Sequence, residues 1–207
     1  MFNLLPKDAK FYDELEQLAD LVVSTAKDFE GIVSKFPNFD GQINSIQQDR
    51  LSARKVFGES LLRLDQAFIT PLDRDDILGL LDQMYGVVDR IAELSQRFRL
   101  YKLKDLHPTL TSQARNLSTI AKELQGITHG LRQQKKLKDL KPGLDAVSGA
   151  MELVKRDREA FLGGLFSGSP DPLEVFKKKE IHDLLEEAIE RCAEAADTLA
   201  RVLLKNG

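Results

Sequence analysis

The chain has 207 residues, of which 42% are hydrophobic, 30% charged and 7% aromatic, with no tryptophan. Lys plus Arg number 30 and Asp plus Glu 33, a formal net charge of −3, which argues against the strongly basic surface of a general nucleic-acid coat. No apolar run reaches the ~18 residues needed to cross a bilayer as a helix, and the opening Met1 to Asp8 lacks the apolar stretch of a secretory leader. The hydrophobic period is helical almost throughout. A first helix follows Phe11, Leu15, Leu18, Val22, Ala26, Phe29, Val33 and Phe36 at steps of three and four, and Pro37-Asn38 stops it. A second runs from about Phe39 to Phe68 on Ile43, Ile46, Leu51, Val56, Leu61 and Leu64. After Ile69-Thr70-Pro71-Leu72-Asp73, a third covers about Arg74 to Leu103. Pro71 keeps Thr70 out of the helix, and Asp73 stands three residues before Asp76 at capping spacing.

His107-Pro108 opens a fourth helix, whose apolar face runs from Leu110 to Leu131. The basic stretch from Arg132 to Lys141, ending in Pro142-Gly143, reads as a hydrated connector rather than a site for acidic headgroups or an acidic partner loop. A fifth helix is expected from about Leu144 to Phe166. Ser167 to Pro172 is a loop, with Asp171 capping and Pro172 opening a sixth helix that reaches about Lys205 along Phe176, Ile181, Leu184, Leu185, Ala188, Cys192, Ala195, Leu199 and Val202. Strand-like alternation of useful length is absent, so the expected fold is all-α: six long antiparallel helices joined by short turns. Ile77-Leu78-Gly79-Leu80-Leu81-Asp82 matches Ile181-His182-Asp183-Leu184-Leu185-Glu186 at an offset of 104 residues. That match predicts a single 1–207 domain of two tandem three-helix bundles, with halves of about 1–104 and 105–207.

Chemistry is sparse. His107, His129 and His182 are isolated and form no helical metal-ligand pair. The single cysteine, Cys192, lies on an apolar stripe and reads as packing, and its lack of a disulfide partner fits a reducing cytoplasm. Gly163-Gly164 is followed by no Gly-Lys-Ser/Thr phosphate cradle, and the serines carry no nucleophile-elbow motif. No catalytic residue is expected. Two acidic clusters remain: Asp73, Asp75, Asp76, Asp82 and Asp89 around the third helix, and Glu180 to Asp197 on the sixth. Glu186, Glu190 and Glu194 step by four, as ligands do in carboxylate-bridged bundles, yet the Glu-x-x-His pairs of those sites are missing.

The string Phe68-Ile69-Thr70-Pro71-Leu72-Asp73-Arg74-Asp75-Asp76-Ile77 resembles the PhoU-like family of phosphate transport regulators, cytosolic helical proteins often associated with Pit-type inorganic phosphate transporters. Met1 to Tyr12, the Lys136 to Pro142 stretch and the ending Glu180 to Asn206 support the resemblance. It implies two three-helix bundles and, in the usual member, carboxylate metal sites. Here the implied positions are degenerate. The acids of the second helix fall on Arg50 and Arg54, the paired aspartates of the third on Tyr85 and Gly86, leaving Asp89, and the fifth-helix pair on Met151 and Lys155. Glu186, Glu190, Glu194 and Asp197 remain on the sixth. Arginine cannot ligate a cation, so no metal or other cofactor is expected. Arg50 and Arg54 share a helix face; they either pair with Asp89 or neighbouring acids, or point into water. Lys155 has the same choice against Glu190 or Glu194.

The resemblance implies a non-enzymatic accessory protein of phosphate transport, acting by protein–protein contact in the cytoplasm, at the inner face of the membrane. Its partner would be a phosphate transporter or another membrane-associated protein, with homo-oligomerisation compatible and no nucleic acid. Phe68, Ile69, Thr70, Pro71, Asp73, Arg74 and Asp75 form the candidate partner surface, with a purely structural turn as the competing reading. The alternatives are a carboxylate-bridged metal-binding bundle, and a peripheral membrane adaptor using the basic residues of 132–141.

Overall fold

A computed structural model describes residues 6–167 and 171–206. Six helices follow in order: α1 Pro6–Ser34, α2 Asp40–Gln66, α3 Arg74–Tyr101, α4 Pro108–Arg132, α5 Leu137–Leu165 and α6 Pro172–Asn206. The terminal Met1–Leu5 and Gly168–Pro170 of the expected sixth-helix lead-in lie outside the described residues.

Local chemistry sets the helix ends. Asp73 caps α3 by accepting from the Asp75 N–H at 2.9 Å, and Asp171 does the same for Leu173 at 2.9 Å; each satisfies a donor that the first turn leaves free. His107 caps α4, with Pro108 in the first position, where its missing N–H costs nothing. Lys102 ends α3 in the left-handed region at φ 47°.

Helices α1, α2 and α3 pack on one another, as do α4, α5 and α6. The halves meet where α1 lies on α4 and α3 on α6. Four helices thus form the centre, with α2 and α5 as outer members that touch no helix of the opposite half among the described residues. Both α1–α4 and α3–α6 are antiparallel: Glu16 meets Arg132 while Glu30 reaches Ser118, and Asp76 meets Lys205 while Arg97 reaches Glu180. One apolar core draws residues from all six helices, and Cys192 lies within it, fully buried.

The fifth helix corrects the expected connector. It begins at Leu137 and carries Pro142 within it, although that ring removes one backbone donor and opposes the turn before it. Close packing offsets the cost. Leu140 is buried, and a Cβ on Gly130 of α4 would stand 2.7 Å from its Cδ2, so only glycine admits it there. Two apolar positions are also corrected: Leu51 on α2 and Phe176 on α6 are exposed, because they sit on the outer faces of their helices.

Candidate functional site

The positions that the sequence singles out on α2 and α3 are brought together. Arg50 Nε donates to Asp89 Oδ1 at 2.7 Å, and the Tyr85 hydroxyl approaches the same oxygen at 3.4 Å. Tyr85 stacks on Phe57, with centroids 5.0 Å apart and planes at 11°. Burial, then the Asp89 carboxylate, raises the Tyr85 pKa above the ordinary phenol value, so the hydroxyl stays a neutral donor. Arg54, one turn beyond Arg50, is exposed, and its charge still reaches Tyr85.

Gly86 has a separate consequence. A Cβ there would lie 2.6 Å from Arg191 Nη1 and 3.3 Å from its Cδ and Cζ. The missing side chain therefore lets Arg191 of α6 lie against the backbone of α3. Among the described residues helices α2 and α6 both pack on α3 without touching each other, so Arg50 meets α3 from the α2 side and Arg191 from the α6 side. Sequence reasoning missed Arg191, whose role depends on which helix lies beside Gly86, and no local pattern records that.

The second half differs. Lys155 pairs with Glu152 on its own helix at 2.9 Å, not with Glu190 or Glu194; an i,i+3 neighbour on an outer face lies closer than any acid across the groove. Arg158 supplies the cross-helix contact by pairing with Glu186. It lies 104 residues after Arg54, so the repeat offset was the signal that marks it. Met151 is partly buried against the core. Arg158, Lys179, Asp183, Glu186, Glu187 and Glu190 line a shallow cavity of about 320 Å³. There Glu190 is pushed above the usual carboxylate range, by desolvation first and by Glu186 next. Glu194 and Asp197 are exposed farther along α6.

These residues do not fit the multinuclear metal site that the resemblance implies. Asp89 is engaged by a guanidinium, Glu186 by another, and Arg50 and Arg54 bring positive charge where oxygen ligands would be needed. Among the described residues no group of three or more His, Cys, Asp or Glu side chains is placed to hold a metal ion.

The candidate partner surface divides into scaffold and tip. Arg74 donates to the carbonyls of Leu64 at 2.6 Å and Ala67 at 2.8 Å, closing the C-terminus of α2. Thr70 donates to the Leu72 carbonyl at 2.7 Å, Leu72 is buried, and Asp73 caps α3 with the Asp75 N–H. Phe68 and Ile69 stand out from this frame, 99% and 67% exposed. Pro71 and Leu72 share a groove of about 430 Å³ with Tyr12, Leu131, Gln134, Lys135, Lys136 and Leu203. Most of the string thus builds a corner, and two apolar side chains project from it. No helix among the described residues is long and apolar enough to cross a membrane.

No family model matches the chain. It is 26% identical to the UPF0111 protein YkaA of Bacillus subtilis, over 90% of this chain and 94% of that one. It is 22% identical to a Rhizobium meliloti protein named "Putative pit accessory protein", over 99% of this chain and 97% of the relative. Two crystal structures of PhoU-like proteins from Shewanella oneidensis share the fold, with TM-scores of 0.73 and 0.71 at 14% identity. They cover 95% and 96% of this chain, and 99% of each of theirs is matched.

Proposed function

We propose, from the premise that this is a PhoU-like chain, that it serves as a non-enzymatic accessory protein of inorganic phosphate transport. It works in the cytoplasm at the inner face of the membrane, by contact with a phosphate transporter. One observation carries the reading: the end-to-end similarity to the relative named as a pit accessory protein, with 99% of this chain aligned. The fold by itself assigns no role, since helical bundles host many.

The contact surface in this reading is the α2–α3 corner. A side chain as exposed as Phe68 gains little from the folded chain and much from a partner. The frame built by Arg74, Thr70 and Asp73 holds it and Ile69 in place, so little ordering entropy is lost on docking. Lys135 and Lys136 on the neighbouring α4–α5 turn favour an acidic loop on the partner.

Affinity capture from native membranes in mild detergent tests this. The wild-type chain is expected to recover a phosphate transporter, and the Phe68→Ser, Ile69→Ser double variant to recover about tenfold less, the loss of a hot-spot contact. Recovery of no transporter at either high or low phosphate would overturn the reading.

A further inference from the structure

Among the described residues, α2 packs only on α1 and α3, and its outward side carries more than polar residues. Leu51 and Leu62 are 67% and 65% exposed. At the helical period, Leu51, Lys55, Gly58 and Leu62 fall within about 60° of one line along the axis. A Cβ on Gly58 would meet no atom within 4 Å, so another helix can come close to the backbone there. Lys55 and Glu59 sit on one flank of the line, 76% and 58% exposed, and hold each other only at 3.9 Å, a contact worth little in water. Beside Leu62, toward α1, Phe11, Glu59, Leu62, Arg63, Gln66 and Ala67 line an open cavity of about 360 Å³.

We propose that this face binds a second copy of the chain, α2 against α2 and antiparallel. One register makes the face complementary to itself. With the two-fold axis beside Val56 and Phe57, Leu51 of each copy lies level with Leu62 of the other, at the height of the cavity that Leu62 helps to line. A two-fold axis across the seam brings each flank against its own kind. Lys55 of each copy therefore comes within about 1.5 Å, along the axis, of level with Glu59 of the other, and this opposite-charge contact forms twice. Charged pairs beside an apolar seam set orientation and partner choice between helices. Arg54 shares the other flank with Asp65, and both are exposed. From Leu51 to Asp65 the outward face thus sets Arg54 and Lys55 against Glu59 and Asp65, so two copies approach without net repulsion. The balanced charge also separates this occupant from an anionic lipid surface or a strongly acidic partner, each of which would call for an excess of cations. The inference does not assume contact with a transporter.

Sedimentation velocity of the full chain over a concentration series tests the proposal. A monomer–dimer equilibrium is expected, with a dissociation constant on the order of 10 μM, as for a small interface. The Leu51→Asp, Leu62→Asp double variant should weaken it about tenfold or more, with unchanged circular dichroism because both side chains are exposed in the single chain. Lys55→Glu and Glu59→Lys should each weaken the dimer alone and regain it when the two variants are mixed, since only contacts between copies restore opposite charges there. Oxidation should crosslink Leu51→Cys mixed with Leu62→Cys but not Leu51→Cys alone; Cys192 is buried and does not compete. A wild-type chain that stays monomeric throughout the series, a dimer that persists in the Leu51→Asp, Leu62→Asp variant, or no regain on mixing would overturn the proposal. So would a monomeric chain whose capture of a transporter is lost in the same double variant, which would give the face to a different partner.

Discussion

His182 shows how much a single side chain can carry in a helical core. It is 5% exposed, its Nδ1 meets the Gln113 carbonyl oxygen at 2.8 Å, and its ring stacks on Phe161 with centroids 3.5 Å apart. With Gln113 Oε1 as acceptor, Nδ1 carries the proton and the ring stays neutral. Burial first, and the neighbouring His107 next, lower its pKa from 6.5 to about 3. Between those two values the unfolded chain binds a proton that the folded chain refuses, so stability rises with pH across that window and falls on acidification. His107 is lowered too, chiefly by burial, and adds in the same direction. Urea unfolding at a series of pH values should show this slope, and His182→Asn should flatten it while leaving the plateau above pH 7 as its reference. At this scale the sequence was legible in part. The family resemblance singled out Arg50 and Asp89 and left pairing or exposure to water open, and the two are paired. Arg191 could not be placed without knowing which helices lie side by side, Arg158 was marked only by its 104-residue offset from Arg54, and the Lys155 pairing failed because an intrahelical neighbour competes at shorter reach.

Helices were the most readable feature, because an apolar stripe at steps of three and four survives any tertiary context. The departures lie where packing overrides local preference. Lys135 to Gly143 is basic and ends in Pro-Gly, both signals of a break, yet α5 starts at Leu137, drawn in by Leu140 against Gly130. Gly143 permits a second close approach, to Glu123 and Ile127 of α4. Pro142 is therefore tolerated rather than required. Pro142→Ala restores the donor that can reach the Lys138 carbonyl and should stabilise the chain by about 1–2 kcal/mol, the helix gain less the entropy returned to the unfolded state. Thermal unfolding reads it as a rise in midpoint. Leu51 and Phe176 fell on the expected stripe and turned outward, since a stripe read from spacing is wider than the surface that two or three neighbours can cover.

The two halves share one core, not two. Residues of all six helices join a single apolar cluster, and the seams α1–α4 and α3–α6 are crossed by Glu16–Arg132, Asp76–Lys205, Arg90–Glu187 and Arg97–Glu180. Scanning calorimetry should accordingly give one transition with calorimetric and van't Hoff enthalpies in agreement; two resolved peaks would show that the halves melt apart. Three-helix grouping was legible from the 104-residue offset, but the strength of the seam was not, because it depends on side chains more than a hundred residues apart. Cys192 sits in that core with no exposed surface, and burial drives its thiol pKa up to about 12. An alkylating reagent can reach the sulfur only while the helices are parted. The chain thus contains its own clock: the labelling rate of one atom counts how often the interior comes open, with no probe to be engineered in.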